Sequence, residues 1–299
     1  MLLVSLTREQ GIVVSTNKTY TVPTYAAFGW LTFSTFLAVF GPLLPVESFR
    51  TIHGDFLDAK PFTAGHWFGV DSNGYDIFSG IINGARLSLF VAFITVGIGG
   101  FIGSLLGITA AYYRGRYDSI VNTAFNVVLA VPNLVLALAL VAVLATNVDI
   151  NEAVPTWRRL ATLMISLTVV IIPILGRIAR ASALTWSGRD FVVAARSMGM
   201  RDRHIIWRHI VPNVLPVLIA VGFLAVGVVI IAEASLSLLG VGIPDGASWG
   251  GMIARGRNDL EYNPHALYFP IIALALTVIS TNHLGDVLRG RLDRREARL

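Results

Sequence analysis

The sequence predicts an all-α membrane protein with six transmembrane helices, both termini on the cytoplasmic side, and one cytoplasmic loop that folds into short helices. Three observations carry this reading. Of 299 residues, 55% are hydrophobic and 14% charged, with a mean hydropathy of +0.69. A soluble domain of this size has about 25% charged residues, so the polar side chains here are too few to cover a water-soluble globule. Six stretches reach the roughly 20 apolar residues that a bilayer core requires. Finally, with the N-terminus inside, sixteen of the 23 lysines and arginines fall in inside segments, which is the asymmetry that sets membrane orientation. The formal charge of +5 is then a property of membrane-facing loops and implies no nucleic-acid partner.

The segment 1–24 carries Arg8, Glu9 and a polar run at 15–19, with no short apolar core leading to a small-residue cleavage site. It is expected to be retained on the cytoplasmic side. The first span covers 25–46. The loop 47–85 is extracytoplasmic and acidic, with Glu47, Asp55, Asp58, Asp71 and Asp76. A core from 86 to 285 holds five further spans, near 86–111, 119–146, 160–184, 214–240 and 266–285, and a basic tail follows at 286–299. The tail's arginines serve as a topology signal and are attracted to anionic lipid. A five-span chain would put the arginine-rich loop and this tail on opposite sides.

Within the second span Gly99, Gly103 and Gly107 recur every four residues, with Ala111 and Gly115 next in phase. Four residues is about one helical turn, so the glycines form a smooth stripe that another helix can approach closely. The partner helix belongs either to the same subunit or to a neighbour. Pro132 and Pro173 lie inside spans three and four, where each removes a backbone donor and bends its helix, as a fixed kink or as a hinge. Asp76 and Arg86 flank the outer end of span two, as interfacial anchors or as contacts for an external protein.

The loop 187–213 is the most informative segment. Asp190 suits an N-cap and Gly199 a residue just past a helix end. The two turns between them place Phe191, Ala194, Ala195 and Met198 on one face by three/four spacing. Asp202 caps a second helix running to Ile210, and Pro212 and Pro216 open the next span, where proline costs least. The loop is thus helix, glycine, helix. From the residues alone three fates are open: docking to a partner, packing on its own spans, or lying on the membrane. A membrane-surface helix shows large apolar residues, whereas Ala194 and Ala195 suit a protein groove.

Val193-Ala194-Ala195-Arg196-Ser197-Met198-Gly199, followed by Arg208-His209-Ile210-Val211-Pro212-Asn213, resembles the EAA loop of ABC-importer permeases. That family carries glutamate where Val193 stands here. His66-Trp67-Phe68-Gly69-Val70-Asp71 with Gly74-Tyr75-Asp76, then Gly84-Ala85-Arg86-Leu87-Ser88-Leu89, Glu233-Ala234-Ser235-Leu236-Ser237-Leu238-Leu239-Gly240-Val241-Gly242, Ser248-Trp249-Gly250, and Asn282 with Leu284-Gly285-Asp286 follow in order. Over about 66–295 the chain resembles the C-type permease subunit of dipeptide, oligopeptide and nickel importers. The resemblance implies a type I importer fold in the bacterial inner membrane. It also implies a second, homologous permease as heterodimer partner, two ATP-binding cassette subunits carrying ATP and magnesium, and an extracytoplasmic solute-binding protein. It makes 187–213 the coupling loop, with Asp190, Ala194, Ala195, Arg196, Gly199, Arg208, His209 and Pro212 as its working residues.

The chain's own chemistry agrees with a non-catalytic subunit that binds no cofactor. The two lysines, Lys18 and Lys60, stand outside any G-x-x-x-x-G-K-[ST] loop, the element that holds nucleotide phosphates. There are no cysteines, and the histidines 204, 209, 265 and 283 do not form a metal-ligand pattern. Glu233 is the one acid inside a span; an ionisable group there faces a protein interior or a wet cavity. With Ser235 and Ser237 it either lines a translocation path or outer gate, or holds span five by hydrogen bonds. The expected function is uptake of di- or oligopeptides, with nickel as the alternative within the family. An ion-driven secondary transporter or channel, the rival class, would show paired intramembrane charges or inverted repeats.

Overall fold

In a bilayer every backbone N–H and C=O must be satisfied within the chain, and a helix does this locally. The computed structural model describes residues 22–46, 48–63, 65–145, 155–243 and 248–296, with side chains described through 292, and it is almost wholly helical. The predicted N-terminal segment up to residue 21, Glu47, and the tail arginines beyond 292 lie outside the described residues or side chains.

The helices are α1 (Val22–Phe40), α2 (Ile77–Tyr113), α3 (Gly115–Ala130), α4 (Asn133–Ala145), α5 (Thr156–Ser187), α6 (Asp190–Ser197), α7 (Asp202–Ile205), α8 (Val211–Leu238), α9 (Trp249–Gly256) and α10 (His265–Glu296). Among the described residues five helical rods are long and apolar enough to cross a membrane, and a sixth crossing results if α3 and α4 count as one span. Those two meet at 90° around Val131 and Pro132. The single helix expected over 119–146 is therefore broken, because Pro132 lacks the N–H that would continue the ladder and pushes Val131 into extended backbone. Pro173, by contrast, lies buried within an unbroken α5.

α2 packs most extensively against α5. A Cβ on Gly99 would collide with Ile171, and one on Gly103 or Gly107 with the backbone of Ile172 or Gly176. The glycine stripe therefore serves packing within the chain. Gly115 is not part of it: with Arg114 it forms the left-handed turn into α3, and its α-carbon faces open space. The contacts advance in step along both helices, so α2 and α5 run parallel, and α3 with α4 must carry the chain back between them. α8 and α10 run antiparallel, with Gly227 beside Thr281 and Asn282 and Gly285 beside Ala220 and Leu224. α1 lies along α10 through Thr24–His283 (3.0 Å) and Trp30 Nε1–Thr277 (2.9 Å).

α2 begins at Ile77, nine residues before the start read from the sequence, so Arg86 stands on an exposed face in its third turn and not at its end. Asp76 sets this start: its Oδ1 accepts from Ser79 N (2.7 Å) and its Oδ2 contacts His66 Nδ1 (2.8 Å). The preceding segment is built from the same motif. Asp71 Oδ1 accepts from the backbones of Asn73 and Tyr75, while Arg255 reaches its Oδ2 at 3.4 Å and stacks over Tyr75. Burial holds the Asp71 carboxyl above the ordinary carboxylate range despite these donors. Phe68 stacks on Phe269 with 4.2 Å between ring centroids, and Asn263 donates to Asp58 and to the Val70 carbonyl. The segment before α2 is thereby laced onto α9 and the start of α10.

Candidate functional site

Two places, at opposite ends of one helical rod, gather the chemistry. The first is the loop between α5 and α8. α6 ends where Gly199 adopts φ +78°. Its N–H donates to the Arg196 carbonyl (3.0 Å), and Met200 N–H donates to Ala195 (3.1 Å). This pair of bonds is the Schellman closure, whose left-handed residue favours glycine. The first-turn residues differ from the sequence reading. Arg189 and Arg201 occupy the cap positions, and Asp190 and Asp202 stand one residue inside, where their charge faces the positive end of the helix.

The faces also differ. Val192 and Ala195 are buried, in a core with Ile108, Ala111, Tyr112, Ala179, Ala183, Ile205, Ile206, Ile210 and Val214. Ala195 is thus not grouped with Phe191, Ala194 and Met198, which turn outward. Met198 is 76% exposed, Val193 55% and Phe191 41%, and Trp207 is exposed nearby. Arg196 and Arg208 are exposed beside them, while His209 is half-buried next to the Phe191 ring.

The second arm of the loop does not end at Ile210. α7 passes through a π-helical turn, Ile206–Ile210, directly into α8. Val211 N–H donates to Ile206, five residues back. Pro212 has no N–H to offer Arg208, and Asn213 Nδ2 takes up the His209 carbonyl (2.7 Å). The wider turn accommodates the proline. Asp202–Leu238 is therefore one rod of 37 residues.

The second place is near that rod's far end. Glu233 is 1% exposed, and its Oε1 accepts from Ser237 Oγ (3.0 Å) and Ser248 Oγ (2.7 Å). Its Oε2 has no hydrogen-bond partner among the described residues and lies beside Gly250. Ser248 also caps α9 by accepting from Gly251 N (3.0 Å). Trp249 fixes the same turn to α2, through its backbone N to Ser88 and its indole N–H to the Ile81 carbonyl. Ser235 is not brought into this group; its hydroxyl bonds back to Ile231. The partner that the sequence reading missed is Ser248. Its motif was visible, but no spacing rule connects position 248 to 233.

Residues 103–298 match the family described as binding-protein-dependent transport system inner membrane component. A glutathione transport system permease protein, GsiD, of Pectobacterium atrosepticum is 36% identical over 252 residues, covering 84% of this chain and 79% of the relative. The dipeptide transport system permease protein DppC of Alkalihalophilus pseudofirmus is 34% identical over 261 residues, covering 86% and 81%. Among solved structures, the inward-facing MetNI methionine ABC transporter aligns with a TM-score of 0.56 at 18% identity, over 70% of this chain and 94% of that one, a likeness of fold alone. On the family match and these relatives, the chain belongs to the inner-membrane components of binding-protein-dependent transport systems, the multi-pass, non-catalytic permease subunits of ABC transporters.

Proposed function

We propose that this chain forms half of the translocation path of an ATP-driven importer of short peptides, and that 187–213 is where the ATPase engages it. The supporting observation is the exposed apolar face of α6. Phe191, Val193, Ala194 and Met198 stand in water among arginines, while the opposite face of the same short helix is packed on the spans. Apolar side chains left uncovered on a charged loop mark a protein or membrane contact, and membership of the ABC permease family favours a protein. The relatives' dipeptide and glutathione substrates support the peptide reading. On this reading a second permease completes the path, and a solute-binding protein delivers peptide from outside. Two ATPase subunits carry ATP and magnesium, since this sequence has no phosphate-binding lysine loop. Both termini are cytoplasmic, and the bent α3–α4 pair is the sixth crossing.

Asp202–Leu238 then acts as a lever. Glu233 stands 31 residues beyond Asp202, about 46 Å along a helix rising 1.5 Å per residue. Movement of the loop by a closing ATPase pair is carried along this rod to its far end, where the Glu233–Ser248 contact holds α8 and α9 together as this chain's side of the outer gate. Coupling requires that nucleotide and peptide favour different global states, and a rod fixed at both ends supplies the link.

The test is reconstitution of the whole complex in liposomes with a peptide-loaded binding protein. Peptide uptake is expected to require ATP. Gly199→Val forces a branched residue into φ +78° and disturbs the α6 closure by about 1–2 kcal/mol, so hydrolysis is expected to continue while uptake falls. Uptake that persists without the ATPase subunits, or a G199V complex that couples normally, overturns the proposal.

A further inference from the structure

We infer that Tyr112 is a positioning residue for energy coupling: it joins both arms of the loop to α2, the one helix of the α2–α5–α8 group to which the loop is not covalently continuous. The inference rests on the reading of 187–213 as the ATPase contact.

α5 runs into the loop at Gly188, and α8 leaves it through the π turn. α2 has no such connection. At its last turn Tyr112 is 6% exposed, in the core formed with Ala111, Ala179, Ala183, Val192, Ala195 and Ile205. Its hydroxyl donates to Asp202 Oδ1 at 2.6 Å. The Arg196 guanidinium lies over its ring, 4.9 Å from the centroid. Arg196 precedes the Gly199 break and Asp202 follows it, so one side chain grips both halves of a hinge. A hydrogen bond to a charged acceptor and a cation over an aromatic face are both stronger than neutral packing, and both depend on direction. If α6 moves with a partner, the Tyr112 contacts oblige α2 to follow. α2 in turn is locked to α5 by the glycine stripe, so the loop, α2, α5 and α8 move as one body. Without them the loop can shift against α2, and hydrolysis no longer obliges the path to open.

The experiment uses the assembled complex in liposomes with a dipeptide-loaded binding protein. Three quantities are measured: peptide taken up per ATP hydrolysed, thermal unfolding, and crosslinking from Met198→Cys to lysines of the ATPase subunit. The chain has no native cysteine to confuse the last. Tyr112→Phe keeps the ring and the Arg196 stack but loses the bond to Asp202. Y112F is expected to lower uptake per ATP by at least about fivefold, the lower end of ordinary coupling strengths. Crosslinking and unfolding temperature should stay as in the parent. Asp202→Asn keeps an acceptor and should lose less, and Y112F with D202N together should be no worse than Y112F alone. An unchanged ratio in Y112F, with parental crosslinking, overturns the role of Tyr112 and leaves the docking reading standing. A fall in the ratio matched by lost crosslinking or a lower unfolding temperature also overturns it, since Tyr112 would then only hold the loop's shape. Failure of M198C to crosslink in the Tyr112 parent overturns the docking reading itself, and with it this inference.

Discussion

Glu233 shows how a single residue's partners decide its role. A carboxyl buried to 1% exposure is tolerable only where donors meet it, and Ser237 and Ser248 both do. Glu233→Ala strands two buried hydroxyls, at roughly 1–3 kcal/mol each. E233A is therefore expected to lower the unfolding temperature of the detergent-solubilised protein markedly, while Glu233→Gln, which keeps an oxygen for both serines, lowers it clearly less. Equal loss in the two variants would mean that the serine contacts contribute little to stability. The Asp76–His66 pair has the same character: Asp76, which the sequence places at the outer end of span two, caps α2 and through His66 braces the segment before it.

At the scale of elements, the α2–α5 contact is governed by what the glycines leave out. Gly107 meets the Gly176 carbonyl so closely that even a methyl must displace backbone, whereas Gly97 on the same helix faces open space. Gly107→Ala is expected to destabilise by about 1–3 kcal/mol, the usual cost of overpacking. Gly97→Ala should be neutral or slightly stabilising, since alanine favours the helix by about 0.5–1 kcal/mol. Thermal unfolding of the pair checks this directly, and a neutral G107A would show that the two helices separate easily. The 90° break at Val131 and Pro132 is the opposite case, an element whose parts cannot be continuous whatever their hydropathy.

For the whole molecule, the parallel course of α2 and α5 is the decisive constraint. It requires the intervening α3 and α4 to return the chain across, and it places the exposed α6 face opposite the segment 48–76. The cysteine-free background makes this measurable. Single cysteines at exposed Ile52 and Met198 are expected to label from opposite sides. In cells making the chain without its ATPase subunits, a membrane-impermeant maleimide should modify Ile52→Cys with the cells intact and Met198→Cys only after permeabilisation. Labelling of both in intact cells would rule out the proposed topology.

By itself the sequence determined the membrane class, the apolar centres of the five long rods, the glycine stripe and the break at Gly199, but not where the rods begin and end. These depend on local composition and spacing: hydropathy over about 20 residues, a four-residue repeat, one left-handed position. The tertiary structure decided what those features meet. Only packing could turn Ala195 inward and Phe191 outward, since helical spacing fixes which residues share a face but not what covers it. Only long-range contact could bring Ser248 to Glu233, start α2 at Asp76, carry Asp202–Leu238 through a π turn, or set Tyr112 between Arg196 and Asp202. The energy of each such contact resides in a partner remote along the chain, and a one-dimensional pattern does not encode that distance.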